Sequence, residues 1–247
     1  MRIAVISDIH SNMEAFSAVM ADIAIAGVDQ VVSLGDNIGY GPEPEQVILA
    51  LKRQRIFSVM GNHERALVDE NFLRPFNPQA RKALMINRQL MSQASIDYLS
   101  TLPLFLVHHG ARFVHGAPPD LVDRYIFKEK TTCLLHTMDA LKEKICFVGH
   151  THELMVYEMV PGGVKKKNFT KSRVFLAKEY KYIINTGSVG QPRDGYNEAN
   201  YVVWDSVENT IEPRFVSYDI PKVIRKMKKA GIPIQYALLL KKAGNRY

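Results

Sequence analysis

The chain has 247 residues but only two cysteines, Cys133 and Cys146, and a single tryptophan. Two thiols make no disulfide framework, and they read as the reduced thiols of an intracellular protein. No apolar run approaches the ~20 residues needed to cross a bilayer, so no helical membrane span is expected. The first strand begins at residue 3, which leaves no place for a leader before it, and the expected location is cytoplasmic. Repeats, low-complexity tracts and obvious linkers are missing as well. A single domain over 1–247 is the expectation.

Acidic residues are in deficit, 25 against 32 lysines and arginines, which gives a formal net charge of +7 and a pI near 9.3. Such a balance favours anionic partners, whether phosphates or nucleic acid. The lysines gather at 165–167 and between 222 and 229, and neither stretch carries the interleaved aromatics that stack on bases. Both read as solvated surface. A small phosphorylated or nucleotide substrate is therefore the favoured partner, with nucleic acid second and a membrane excluded.

What is present is a regular alternation of short elements. Hydrophobic residues make up 47% of the chain, enough to bury a full core. Residues 3–7, 31–34 and 56–60 are strand-length apolar runs. Between them, 13–26 place Met13, Phe16, Val19, Met20 and Ile23 on one helical side, and 44–53 form another helix. This order predicts an α/β layered fold. Residues 78–101 read as two helices broken near 92–95, 104–108 with 112–115 as a hairpin, 131–143 as a helix and 145–148 as a strand. Further strands are predicted at 154–160, 173–177, 182–184, 201–205 and 211–217. A loop-like hairpin tip is expected at 162–172, and closing helices at 221–230 and 234–242.

Metal-ligating residue types recur where an apolar run stops. Asp8 and His10 follow IAVIS, Asp36 follows VVSL and a glycine, and Asn62 and His63 follow IFSVM and a glycine. His115 follows ARFV, and His150 and His152 follow ICFV and a glycine. Strand ends converge on one edge of a layered α/β fold, where ligands bind. Imidazole, carboxylate and amide oxygen together suit divalent or trivalent ions, and Mn, Fe, Zn, Ni and Co all accept such donors. Any one of these motifs alone reads as a turn; five at successive strand ends point to a shared site. His108, His109 and His136 lie outside the pattern and are assigned no role.

The set D-I-H at 8–10, G-D at 35–36, G-N-H-E at 61–64, H-G at 115–116 and G-H-T-H at 149–152 resembles the calcineurin-like metallophosphoesterase family over residues 3 to about 193. The resemblance implies a four-layer α-β-β-α sandwich with a dinuclear site at the strand ends. It implies one ion held by Asp8, His10 and His152, a second held by Asn62, His115 and His150, and Asp36 bridging both. It also implies that His63 donates a proton to the leaving group, its imidazole exchanging a proton near pH 7. Two such ions can clamp phosphoryl oxygens and supply a bridging hydroxide at neutral pH.

G-D-N-I-G-Y-G-P at 35–42 and N-T-G-S-V-G-Q-P-R-D-G at 185–195 are similar to a small bacterial and archaeal phosphodiesterase branch of that family. In the second segment Ser188, Gln191 and Arg193 either offer donors to a phosphate or simply form a turn over the metals. Tyr40 fits base stacking and loop packing equally. Arg65, with Arg74 behind it, is the expected polyphosphate contact, and Asn12 completes the candidate substrate residues. Protein Ser/Thr phosphatases of the superfamily carry an Asp three residues after the bridging Asp, where it orients the donor His. Here that position is Gly39, and Gly39-Tyr40-Gly41 replaces Asp-Arg-Gly. The expectation is a phosphohydrolase acting on a phosphodiester or a phosphoanhydride, with a dinucleoside polyphosphate as a candidate. The alternatives are a nuclease-like phosphodiesterase, a protein phosphatase and a metal-free scaffold, the last disfavoured by the intact ligand set.

Overall fold

The structure is a computed structural model, and it describes residues 1–126, 130–169, 171–193, 195 and 197–242. Strand β1 (Arg2–Ile6) runs parallel to β2 (Gln30–Ser33), which runs parallel to β3 (Phe57–Ser58). On its other side β1 pairs antiparallel with β11 (Ala199–Asp205), followed by β12 (Thr210–Val216) and β9 (Val174–Phe175). A second sheet has the order β4 (Phe105–His108), β5 (Ala111–Val114), β6 (Ile145–Val148), β10 (Lys181–Thr186), β7 (Leu154–Val160), β8 (Gly163–Asn168). Both sheets mix parallel and antiparallel pairs.

The two sheets face each other, and alternation along the strands builds the layers. In β1, Ile3 and Val5 join Phe113, Phe147, Ile184 and Trp204 between the sheets. Ala4 and Ile6 point the other way, onto Phe16 and Val19 of α1 (Met13–Ala26) and Val47, Ile48 and Leu51 of α2 (Pro44–Arg53). Helix α7 (Thr131–Ala140) covers the outer face of the second sheet through Leu134 and Met138, against Val148, Tyr157 and Ile183. The result is the α-β-β-α sandwich expected from the sequence. No helix among the described residues is long and apolar enough to cross a membrane.

Helix boundaries follow their signals. The Asn12 side chain accepts from the Ala15 amide to start α1, and Gly27 ends it at φ 63°. Helices α5 (Pro78–Gln89) and α6 (Gln93–Ser100) are separated at the cap Ser92, within the expected break. Helices α8 (Ile220–Lys229) and α9 (Ile234–Lys242) lie within a residue of expectation.

Three expectations need correction. The stretch 163–168 is strand β8, not a hairpin tip. Its lysine run hid a strand because β8 is a sheet edge, where lysines block further pairing; Lys167 sits 2.6 Å from Glu158 on the neighbouring strand. Helices α3 (Asn62–Val68) and α4 (Glu70–Leu73) were not anticipated, being too short for a periodic signal. Helix α7 stops at Ala140, three residues short of the predicted end.

Candidate metal centre

The carboxyl ends of β1, β2, β3, β5, β6 and β10 meet on one edge, and backbone hydrogen bonds tie their loops together. The Asp8 amide donates to Gly35 O (3.0 Å), His10 to Asp36 O (2.9 Å), Gly149 to His115 O (2.8 Å) and Gly190 to Asp8 O (2.9 Å). The turns are tight enough that Asp8, His10, Ser11, Asp36, His150 and His152 all have φ between 47° and 66°. Left-handed backbone at non-glycine residues costs on the order of 1–3 kcal/mol each. Concentration of that strain at one edge marks a site that the rest of the fold stabilises.

Three overlapping groups of donors result. Asp8, His10 and His152 form a first group and Asp36, His115 and His150 a second; His10 and Asp36, one from each, form a third with His63, and the ligand atoms of each group lie within 4.8 Å of one another. Asp8 Oδ1 lies 3.2 Å from His152 Nε2 and 3.6 Å from His10 Nε2. Asp36 Oδ2 lies 3.3 Å from His115 Nε2 and 3.8 Å from His10 Nε2, so it reaches into both groups. Asn62 Oδ1 is 3.1 Å from His115 Nε2, on the side of the second group.

The donor chemistry fits cations. His10 Nδ1 faces Ile38 O (3.0 Å), His115 Nδ1 faces Leu34 O (2.9 Å) and His152 Nδ1 faces Gln191 O (2.6 Å). A carbonyl only accepts, so each neutral ring carries its proton on Nδ1 and presents a bare Nε2 to the centre. Yet His10 Nε2 and His152 Nε2 stand 3.1 Å apart, and His115 Nε2 stands against the Asn62 acceptor. The lone pairs of His10 and His152 facing one another call for a cation between them, and His115 presents a lone pair to the Asn62 oxygen once its second proton has left. Asp8 Oδ1 and His150 Nε2 are buried with no hydrogen-bond partner among the described residues, the same signature.

Protonation follows the same geometry. Burial pulls the His115 pKa down, but the Asp36 carboxylate outweighs it and holds it at about 9. Burial takes His150 to about 3, and burial with the Arg193 charge takes His152 to about 4. Burial raises the Asp36 pKa, but His115 and His63 hold it well below the usual carboxylate range. At pH 7 the metal-free protein thus carries a proton on His115 that a cation must displace, while His150 and His152 are already neutral. Metal affinity of the group that contains His115 should rise roughly tenfold per pH unit from 7 toward 9 and then level off, with about one proton released as that site fills at pH 7.5. Calorimetric titration in two buffers of different ionisation enthalpy measures that release; no proton released at pH 7.5 would mean that His115 is not displaced by the cation.

Glu64 was overlooked. It is fully buried on α3, and its carboxylate accepts from the amides of Asp36 (2.8 Å), Asn37 (2.7 Å), Ile38 (3.3 Å) and Gly61 (2.8 Å). It therefore holds the Asp36 loop to the Asn62 loop. Burial and the nearby Asp36 charge push its pKa up to about 7, against four N–H donors that favour the anion. The signal was present as capping-box spacing from Gly61 to Glu64. Glu64→Gln keeps the shape but turns an NH2 toward two of those amides. It should cost about 3 kcal/mol, from two buried N–H groups left unpaired. Calorimetric unfolding measures this; an unchanged Tm would show that the four bonds do not hold the loops.

His63 sits beside both groups, its Nε2 3.9 Å from Asp36 Oδ2. Its Nδ1 is buried without a hydrogen-bond partner among the described residues. A Cβ built on Gly39 would lie 2.1 Å from that Nδ1, so the ring needs a glycine there. Burial pushes the His63 pKa down to about 3, which favours a neutral ring in the metal-free protein.

The substrate candidates fare unevenly. Asn12 caps α1 and donates to Gly190 O (3.0 Å), and Ser188 donates to Asp8 O and accepts from the Gln191 amide. Both are buried scaffold groups with their polar atoms engaged by the protein. Arg65 stacks over Phe72 at 4.5 Å. Tyr40 packs against His10, His63 and Tyr236, the loop-packing alternative, while also lining the cavity beside the second group. Arg193 is exposed, and its charge bears on His152 and Tyr40. Asp194, within the 185–195 motif, lies outside the described residues. A cavity of about 180 Å³ opens beside the second group, lined by Tyr40, Asn62, Phe76, Asn77, Tyr125 and His150 among others. Tyr125, which stacks on His150 at 4.0 Å, carried no sequence signal.

Residues 1–209 match the Calcineurin-like phosphoesterase superfamily domain. A protein from Methanocaldococcus jannaschii, described as uncharacterized, is 33% identical over 237 residues, 94% of this chain and 93% of its own length. The crystal structure of a metallophosphoesterase from Sphaerobacter thermophilus superposes with a TM-score of 0.84 at 31% identity, over 98% of this chain and 99% of that one. A hypothetical protein from Pyrococcus horikoshii superposes with a TM-score of 0.81 at 18% identity, over 99% of each chain, a likeness of fold.

Proposed function

Because the chain belongs to the calcineurin-like phosphoesterase superfamily, we propose that it is a metal-dependent phosphohydrolase of small phosphodiesters or nucleotide phosphoanhydrides. The observation that carries this reading is the placement of Asp36 Oδ2 between two groups of bare imidazole nitrogens. Asp8, His10 and His152 would hold one ion, Asn62, His115 and His150 another, with Asp36 common to both. Bound there, divalent ions supply phosphoryl-charge neutralisation and water of lowered pKa. The chain's own part is to hold these groups rigidly through Glu64 and the three carbonyl-anchored histidines. His63 lends an N–H from Nε2 to the oxygen that develops charge as the ester bond breaks.

The cavity sets the substrate scale. At about 180 Å³ it takes one small group beside the phosphate, and among the described residues its lining includes aromatic rings but no lysine or arginine. The net charge lies elsewhere. Lys165, Lys166 and Lys167 are on the β8 edge, and Lys222 and Lys226 pair with Glu14 and Glu43. This arrangement favours a small ester over a polymer track, and it leaves Arg193 rather than Arg65 as the arginine for a polyphosphate tail.

The test is hydrolysis by the manganese-loaded protein of bis-p-nitrophenyl phosphate, diadenosine tetraphosphate, a single-stranded oligonucleotide and a phosphoserine peptide. The diester or the dinucleotide should give the highest kcat/KM. Highest activity on the oligonucleotide, falling steeply with salt, would establish the nuclease alternative, and no hydrolysis with any metal would refute the phosphohydrolase reading.

A further inference from the structure

We propose that the C-terminal helices act as a positioning element for His63: Tyr236 of α9 clamps Tyr40, and Tyr40 with Phe76 holds the imidazole that no hydrogen bond among the described residues fixes at Nδ1. The inference rests on the phosphohydrolase reading for its kinetic consequence, but not for its packing.

An imidazole in a site of this kind must be held against rotation about its ring bond, usually by a hydrogen bond to the nitrogen facing away from the substrate. His63 has none there among the described residues. Its Nδ1 is buried, and Gly39 occupies the place from which a side chain would have reached it. What surrounds the ring is packing. The Tyr40 centroid lies 4.6 Å away and edge-on, Phe76 4.8 Å and edge-on, His10 4.9 Å and edge-on. Edge-to-face aromatic pairs at these distances are directional and restrain ring rotation.

Tyr40 itself needs support, because its backbone is left-handed at φ 57°. Tyr236 supplies it, with ring centroids 4.4 Å apart and planes 35° apart. Tyr236 is in turn fixed by the packing of α8 and α9. Val223, Ile224, Met227, Ala237 and Leu240 form one buried cluster with Ala83 of α5. Lys226 pins α8 to Glu14 at 2.5 Å and to Glu43 at 2.7 Å. Between these helices and the site, a crevice of about 10 Å³ is lined by Val223, Met227, Tyr236 and Leu240 on one side and His10, Tyr40 and Gly190 on the other. That is no more than one water requires. The path from Tyr236 to His63 is therefore a continuous van der Waals contact.

The test compares Tyr236→Leu, which keeps an apolar side chain in α9 but removes the ring, with Tyr236→Phe, which keeps the ring. The first readout is the ring Cε1–H resonance of His63 in the zinc-loaded protein, assigned by its loss in His63→Ala. In the parent and in Tyr236→Phe it should be a single resonance displaced by the neighbouring rings; in Tyr236→Leu it should move toward the free-imidazole position or broaden. The second readout is turnover. For an alkyl phosphodiester Tyr236→Leu should lower kcat roughly 10–100-fold, with KM and metal content unchanged, a smaller loss on bis-p-nitrophenyl phosphate, and recovery in Tyr236→Phe. A His63 resonance identical in Tyr236→Leu and the parent would overturn the proposal, as would equal losses on both substrates. If the parent hydrolyses nothing, the phosphohydrolase reading fails, while the resonance still decides the packing claim.

Discussion

Asp36→Asn should abolish binding of at least one of two metal ions per chain and lower kcat by roughly 10³-fold or more, about 4 kcal/mol in the barrier. The expectation comes from how the carboxylate is shared out. Oδ1 accepts from the His63 amide at 2.8 Å, which fixes the plane of the group. Oδ2 is left to face His115 Nε2 at 3.3 Å and His10 Nε2 at 3.8 Å. An amide in the same place would keep its oxygen on the His63 amide, because that donor demands an acceptor. Its NH2 would then point at the centre, where it donates to a bare imidazole nitrogen and repels a cation. The substitution removes the charge and fills the shared position at once. His10→Ala and His115→Ala each remove one donor from one group and should leave the other group able to bind. Metal analysis and kcat on the three variants side by side make the comparison. An Asp36→Asn protein with two ions and near-parent turnover would show that Asp36 is not the shared ligand.

The contrast between what the sequence disclosed and what it hid has a physical pattern. Asp8, Asp36, His115 and His150 were visible because each breaks a short apolar run, and a strand's end is a local property. The structure brings all of them to one edge. Glu64 stood in plain view in G-N-H-E, but its role depends on three amides some 26–28 residues earlier, a proximity that only the β2–β3 pairing creates. Arg65 was expected at a phosphate, but the first turn of the unforeseen helix α3 sends its guanidinium onto Phe72 instead. Tyr40 fitted stacking and packing equally along the chain, and the fold sets the distant Tyr236 against it. Strand β8 read as a loop because edge strands carry the charges that loops carry. For Glu64 and Tyr40 the missing information was a contact across the fold, which no pattern along the chain encodes.

The same distinction bears on the cost of the site. Six left-handed non-glycine residues at one edge amount to a local penalty that short-range propensity would never accept. Glycines answer it where two loops touch: a Cβ on Gly61 would lie 2.2 Å from the Asp36 amide nitrogen, so the Asp36 and Asn62 loops can meet only there. The sandwich core beneath, with Ile3, Val5, Phe113, Phe147 and Ile184 fully buried or nearly so, supplies the stability on which the strained loops rest. A destabilised core should therefore show itself first as weakened metal binding, before global unfolding.

His63→Ala should separate chemistry from metal binding. The variant is expected to keep both ions, because the ligand sets proposed for them are complete without His63, whose Nε2 stands 3.9 Å from Asp36 Oδ2 in a group with His10 and Asp36. Turnover should nonetheless fall roughly 10²–10⁴-fold, the range for a positioned donor. The neutral ring sets the form of the result. Burial holds the His63 pKa at about 3 in the free protein, so between pH 5 and 9 it stays uncharged, and the proposed role requires the tautomer with its proton on Nε2 as a hydrogen-bond donor. A group with so low a pKa is deprotonated throughout that window. Hence kcat/KM should show no His63-dependent fall as pH rises through 6.5, and the pH profiles of parent and variant should run parallel. What should differ is leaving-group sensitivity. Alkoxide departure builds more negative charge on the leaving oxygen than p-nitrophenolate departure, so it gains more from an N–H aimed there. The loss in His63→Ala should be largest for an alkyl diester and smallest for bis-p-nitrophenyl phosphate. Equal losses would place the N–H on a non-bridging phosphoryl oxygen. A parent profile that falls above pH 6.5 while the variant's stays flat would mean that the ring is charged in the free enzyme, and a missing ion in the variant would make His63 a ligand.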